Sequence, residues 1–249
     1  PTALVEFGEF NTGLSRYTLQ MNSTQKLIWD GTSTALVLGD INTPFSSIFA
    51  VHRGRIYIAR NNDIKFNALN LTTDWTTANE AGSIDITNAK GNITGMGEYA
   101  DHIVVFTEYS MHELYGTSPV NFQLVDIEGN VGCVSNRSIV KANNRLYWMW
   151  HDGVYQYGGG TPVKISDPVQ DYIKAINPDQ RTKIVGGSIG DFLYMAIPSG
   201  TATNNDLILK YDTRLEKWYV EEGNFRDFVT FENAFYGLDS TGFVWNMRR

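Results

Sequence analysis

Three features of the sequence predict an all-β fold made of repeated four-stranded units. The first is a repeat. Ile48, Ile93, Ile139, Ile184 and Phe228 each open a phrase of the same form: an apolar run, a polar turn, then a second run rich in aromatic and β-branched residues. Successive openings are 45, 46, 45 and 44 residues apart. The second is composition: 23 Gly against 7 Pro, with 13 Tyr, 13 Phe and 6 Trp, couples turn residues to strand formers. The third is the turn within each phrase. Arg53-Gly54, Asn143-Asn144, Gly190-Asp191 and Glu232-Asn233 are two-residue links, several of which can supply the positive φ of a tight hairpin. A period near 45 residues made of short strands is the mark of a propeller blade.

Taken in order, each blade should hold four antiparallel strands. The first blade, residues 1–42, is read one period back from Ile48, with strands at 3–10, 16–21, 26–29 and 35–38. The second, 43–89, has strands at 48–52, 55–60, 63–69 and 83–87. The third, 90–134, has them at 93–99, 102–108, 112–116 and 122–126. The fourth, 135–180, places them at 138–142, 145–150, 153–157 and 162–165. The fifth, 181–224, places them at 183–188, 192–197, 207–212 and 218–221. The remainder, 225–249, holds at most three strands, at 227–232, 234–238 and 243–247. Six blades are preferred, with the missing fourth strand of the last supplied from outside this chain or left open. Five blades, with both termini sharing one closing sheet, is the alternative. An open strand edge invites pairing with another chain.

One short inter-blade helix is expected. Ser166-Asp167-Pro168 reads as a capped start, and Val169, Tyr172, Ile173 and Ile176 follow at i, i+3, i+4 and i+7 as one apolar stripe, stopped at Asn177-Pro178. The stripe should pack on neighbouring strands, with docking to a partner as the alternative. The chain opens at Pro1 without a methionine or a signal-like stretch, so it is expected to be a processed product or part of a longer polypeptide.

The formal net charge of −7 carries no basic stripe, which argues against nucleic acid as a partner. Apolar runs are strand-sized, so no membrane span is expected. Cys133 is the one cysteine and reads as a small buried residue between Gly132 and Val134. The four histidines, His52, His102, His112 and His151, show no metal-ligand spacing and are expected in turns or on the surface. Asp30, Asp63, Asp101, Asp126, Asp152, Asp191, Asp212 and Asp239 read mostly as turn residues that accept local backbone hydrogen bonds. Gly158-Gly159-Gly160 lacks the Lys-Ser/Thr of a phosphate loop and reads as a flexible turn. Asn22, Asn70, Asn92 and Asn136 head Asn-x-Ser/Thr triplets, taken as chance in the absence of a secretory signal. Tyr147, Trp148, Trp150, Tyr155 and Tyr157 alternate along two strands and are expected in interblade cores, with a sugar-stacking platform as the minor reading. No catalytic, metal or cofactor residues are assigned, and no enzyme activity is expected.

The stretch from Gly129-Asn130-Val131-Gly132-Cys133 through Arg145-Leu146-Tyr147-Trp148-Met149-Trp150-His151-Asp152-Gly153-Val154-Tyr155 to Gly159-Gly160-Thr161-Pro162-Val163-Lys164-Ile165-Ser166 resembles a block found in propeller-like structural proteins of tailed double-stranded DNA phages and prophages. Thr73-Asp74-Trp75 and the strand pair at 104–115 are similar to further pieces of that pattern, so the likeness covers most of 45–180. It implies a non-enzymatic virion component in a tail, neck or adaptor position, located in the virion and in host cytoplasm during assembly. Its partners would be other virion proteins or further copies of itself, with the incomplete last blade as a candidate contact. No catalytic residues are implied. A glycan- or host-receptor-binding propeller is the alternative.

Overall fold

The structure is a computed structural model that describes residues 5–13, 15–32, 34–76 and 80–247. It divides into two compact units, Pro1–Ile127 and Glu128–Arg249. In each, strands pair antiparallel with their neighbours in sequence.

The first unit holds three four-stranded sheets. The first is β1 (Glu6–Asn11), β2 (Arg16–Met21), β3 (Lys26–Trp29) and β4 (Leu36–Val37). The second is β5 (Phe49–His52), β6 (Arg55–Arg60), β7 (Asp63–Phe66) and β8 (Gly82–Asp85). The third is β9 (Ile93–Tyr99), β10 (His102–Thr107), β11 (Met111–Tyr115) and β12 (Gln123–Ile127). Alternation along β6 explains the layering. Ile56 and Ile58 enter one core with Phe10, Leu19 and Met21 of the first sheet. Tyr57 and Ala59, on the opposite face, enter another with Met96, Ile103 and Val105 of the third.

The second unit holds two four-stranded sheets and one of three strands. The fourth sheet is β13 (Val140–Ala142), β14 (Arg145–Trp150), β15 (Gly153–Tyr157) and β16 (Val163–Lys164). The fifth is β17 (Val185–Ile189), β18 (Phe192–Ile197), β19 (Leu207–Asp212) and β20 (Lys217–Glu222). The sixth is β21 (Phe225–Phe231), β22 (Ala234–Asp239) and β23 (Val244–Asn246). Here β18 is the two-faced strand: Leu193 and Met195 pack with Tyr147 and Met149, while Tyr194 and Ala196 pack with Phe225 and Phe235. The first and last sheets are separate, which decides for six blades over five.

Several expected boundaries shift for local reasons. The third strand of the second sheet stops at Phe66 because the Asn67 side chain replaces the ladder: its Oδ1 accepts the Ile56 N–H at 2.6 Å and its Nδ2 donates to Leu71 O at 2.7 Å. The fourth sheet begins at Val140 because residues 136–138 form a 3₁₀ turn whose Ser138 Oγ accepts the Met149 N–H. Residues 3 and 4 of the expected first strand lie outside the described residues. The helix is shorter than the stripe suggests: a 3₁₀ turn, Asp167–Val169, leads into α1 (Gln170–Lys174). Val169, Ile173 and Ile176 join the core of the fourth and fifth sheets, as expected of the stripe, whereas Tyr172 is exposed. Ser166 does not cap the helix. It is fully buried, and its Oγ accepts the Val154 N–H at 3.0 Å. Among the described residues no helix is long and apolar enough to cross a membrane.

Candidate interaction site

The residues that could carry chemistry are mostly spent on the fold. Cys133 is buried, its Sγ 3.1 Å from Ser135 O, and desolvation pushes its thiol up to about 12. Asp30, Asp212 and Asp239 accept backbone N–H groups two to four residues on, as turn aspartates do. Trp148 and Tyr157 are fully buried, Tyr147 and Tyr155 nearly so, and Trp150 half-buried, which places that aromatic group in cores. Asp152 accepts the Tyr155 hydroxyl rather than standing free.

The histidines correct the sequence reading. His52, His102 and His112 are buried, and only His151 is exposed, accepting from Arg181 Nη1. His52 lies 2.9 Å from Glu98 Oε1 through Nδ1 and 2.9 Å from Asp101 O through Nε2, tying the second sheet to the third. His112 Nε2 lies 2.9 Å from Ser110 Oγ and its Nδ1 2.8 Å from Asp126 Oδ1. That is the order of a hydrolase triad. Yet Ser110 is buried, its Oγ accepts the Lys90 N–H at 3.0 Å, and it sits 2.7 Å from Thr107 Oγ1. The arrangement works as a lock across β10, β11 and β12, and hydrogen bonds from Asn88 and His112 hold the Asp126 carboxyl below the usual carboxylate range. The Ser-x-His spacing at 110–112 is the signal that sequence reading passed over. The burial of His52 rests on partners 46 and 49 residues away, which no local spacing signals.

What the fold leaves unspent is on the sixth sheet. Phe228, Phe235 and Met247 pack on the fifth. Register puts Val229 beside Tyr236 and Leu238 beside Val244, on the opposite face. There Val229, Phe231, Leu238 and Val244 are between 37% and 66% exposed. Trp245 is pinned at the edge, its Nε1 donating to Asp239 Oδ2 at 2.7 Å. The bonds Asp239 N–H to Phe243 O and Met247 N–H to Phe235 O turn residues 243, 245 and 247 toward β22. The intervening Val244 and Asn246 therefore direct their backbone N–H and C=O to the outer edge. Every other sheet has a fourth strand at this position.

No family model matches this chain, and no curated protein matches it. Solved structures do. One is described as the extracellular domain of a one-component system, BT4673, of B. thetaiotaomicron: TM-score 0.62 and 10% identity, over 99% of this chain and 34% of that one. Another is BamB of Moraxella catarrhalis: TM-score 0.52 and 12% identity, over 92% of this chain and 66% of that one. The chain is a β-propeller. Identities this low carry the fold alone. The propeller spans less than two thirds of either neighbour.

Proposed function

We propose that this propeller is a protein-interaction module and, more finely, a structural component of a tailed-phage particle in a tail, neck or adaptor position. The observation that carries the reading is the sixth sheet, which combines a strand edge at Val244 and Asn246 that is unpaired among the described residues with an exposed apolar face at Val229, Phe231, Leu238 and Val244. Contiguous exposed apolar surface marks contact sites, and an open edge accepts a strand from a partner. The first sheet adds a second such surface in its own unit, where Phe7, Trp29 and Val37 are exposed on the face turned away from the second sheet. The phage assignment is supported by the block at 129–166 and the strand pair at 104–115. On this reading the protein is non-enzymatic, needs no cofactor, meets other virion proteins or copies of itself, and resides in the virion.

The test is the protein inventory of particles purified from the strain that carries the gene, alongside sedimentation of the isolated protein. Presence in particles at a fixed copy number is expected. Absence from particles, with an isolated protein that stays monomeric and partnerless, overturns the assignment. Selective binding on a glycan array would transfer it to the receptor-binding alternative.

A further inference from the structure

A second unspent feature lies in the same unit, where the leading strands β13, β17 and β21 run side by side. Between them is a cleft of about 650 Å³, lined among others by Lys141, Ser188, Thr230, Asn233, Phe228 and Phe235. That volume falls in the roughly 300–1,000 Å³ range of ligand-sized sites. Each leading strand ends in a two-residue turn, so Ala142 pairs with Arg145, Ile189 with Phe192 and Phe231 with Ala234. These are the hydrogen-bonded pairs that close the hairpins. Alternation then turns the residues one step back, Lys141, Ser188 and Thr230, away from their own sheets.

The carbonyls confirm the direction. Ser188 Oγ donates to Lys141 O at 3.3 Å, and Thr230 Oγ1 donates to Ser188 O at 2.7 Å. A residue's N–H points the same way as its C=O in a strand. The amides of Lys141, Ser188 and Thr230 thus form a row of three donors on the cleft side, one per sheet, none with an acceptor in its own ladder. The Lys141 ammonium adds a positive charge with no ion pair among the described residues. Among the described residues no acidic side chain lines the cleft; Asp227 nearby is engaged by Arg137 at 2.6 Å, and Asp191, next to the lining Gly190, accepts from Asn143 Nδ2 at 3.2 Å. In a chain of net charge −7, this is a concavity that carries three amide donors and one cation, with the Lys141 and Ser188 carbonyls already taken by hydroxyls and the half-buried Phe228 ring on its wall.

We propose that the cleft binds a carboxylate carried by an extended segment of a partner protein. Backbone donors set in a row capture carboxylates, one lysine balances one negative charge, and the half-buried Phe228 ring supplies an apolar wall. The absence of arginine from the lining disfavours phosphate, which is commonly held by bidentate guanidinium groups. The inference deepens the partner-binding reading, but its failure is distinguishable, because particle incorporation scores contact through any surface.

The experiment is amide-resolved NMR of the whole protein, titrated first with glutarate and with its uncharged analogue glutaramide. Glutarate is expected to shift the Lys141, Ser188 and Thr230 amides, and glutaramide to leave them in place. Two short peptides then separate the sources: acetyl-Gly-Phe-Glu-Gly-amide carries only a side-chain carboxylate, and acetyl-Gly-Phe-Gly-Gly only a terminal one. Saturation by either supports the proposal and names the source. Lys141→Gln, at an exposed strand position, should weaken that binding about tenfold, as loss of a charge-assisted hydrogen bond does. Unmoved amides, equal shifts with glutaramide, unchanged affinity in Lys141→Gln, or response to inorganic phosphate alone would each overturn it.

Discussion

Arg55→Met offers a direct test of how the first unit is held together. Arg55 is completely buried. Its Nε donates to Thr117 O at 2.8 Å, Nη1 to Asn67 O at 2.6 Å and to Glu80 O at 3.0 Å, and Nη2 to Glu80 Oε2 at 3.0 Å. The guanidinium also sits 5.5 Å from the Phe66 ring centre. Methionine keeps the apolar stem and removes every donor. Asn67 is as buried as Arg55, so its carbonyl loses its partner outright, costing about 1–3 kcal/mol. Thr117 and Glu80 are open enough for water to replace part of what they lose, adding about 1 kcal/mol between them, and the cation–π contact adds about 0.5–1 kcal/mol. Relief of a buried charge offsets part of this. The expected net loss is about 2–4 kcal/mol in urea unfolding followed by tryptophan fluorescence. Glu80→Gln, which removes only a charge at a group 64% exposed, should cost less than about 1 kcal/mol. A loss below about 0.5 kcal/mol for Arg55→Met, or equal losses for both variants, would refute the reasoning.

The remaining expectations can be checked by the same unfolding assay. His112→Phe strips the Ser110–His112–Asp126 lock and should cost about 2 kcal/mol, the scale of a buried hydroxyl left short of a partner. Asp63 faces Asp85 across β7 and β8, and burial, then that like charge, raise its pKa. A carboxyl raised in the fold costs nothing below its ordinary value; the cost grows as pH climbs from there to the folded value and is complete above it. Asp63→Asn should therefore be more stable at pH 7 by about 0.5–1 kcal/mol, with the advantage fading toward pH 3; a less stable variant at pH 7 contradicts the sign. Asn143 and Asn144 hold φ of 45° and 59°, so Asn144→Val should cost about 1–2 kcal/mol and Asn144→Gly should be neutral or better.

Much of the fold was readable because the repeat is local. The strands Arg55–Arg60, Arg145–Trp150 and Phe192–Ile197 coincide with the expected second strands of their blades, and the Asn143-Asn144 turn adopts the positive φ its composition suggests. Features set by distant partners were not readable. His52 is buried against residues 46 and 49 positions away, and Ser166 serves a strand rather than its helix. The cleft lies between these cases. Lys141, Ser188 and Thr230 each stand one residue before the hairpin-closing pair of their repeat, so superposing the phrases marks them as equivalent. Only the structure shows that the three open onto one cavity.

The sixth sheet carries the functional reading, and its exposed face can be altered without entering a core. Val229→Glu combined with Val244→Glu places charge on that face at two positions, each more than half exposed. Quantitative mass spectrometry of purified particles, from cells supplying either the native or the doubly substituted chain, measures the consequence. The native chain should be incorporated at fixed copy number, and the variant lost from particles while remaining soluble and folded. Equal incorporation of the two chains would contradict a partner-binding role for that face.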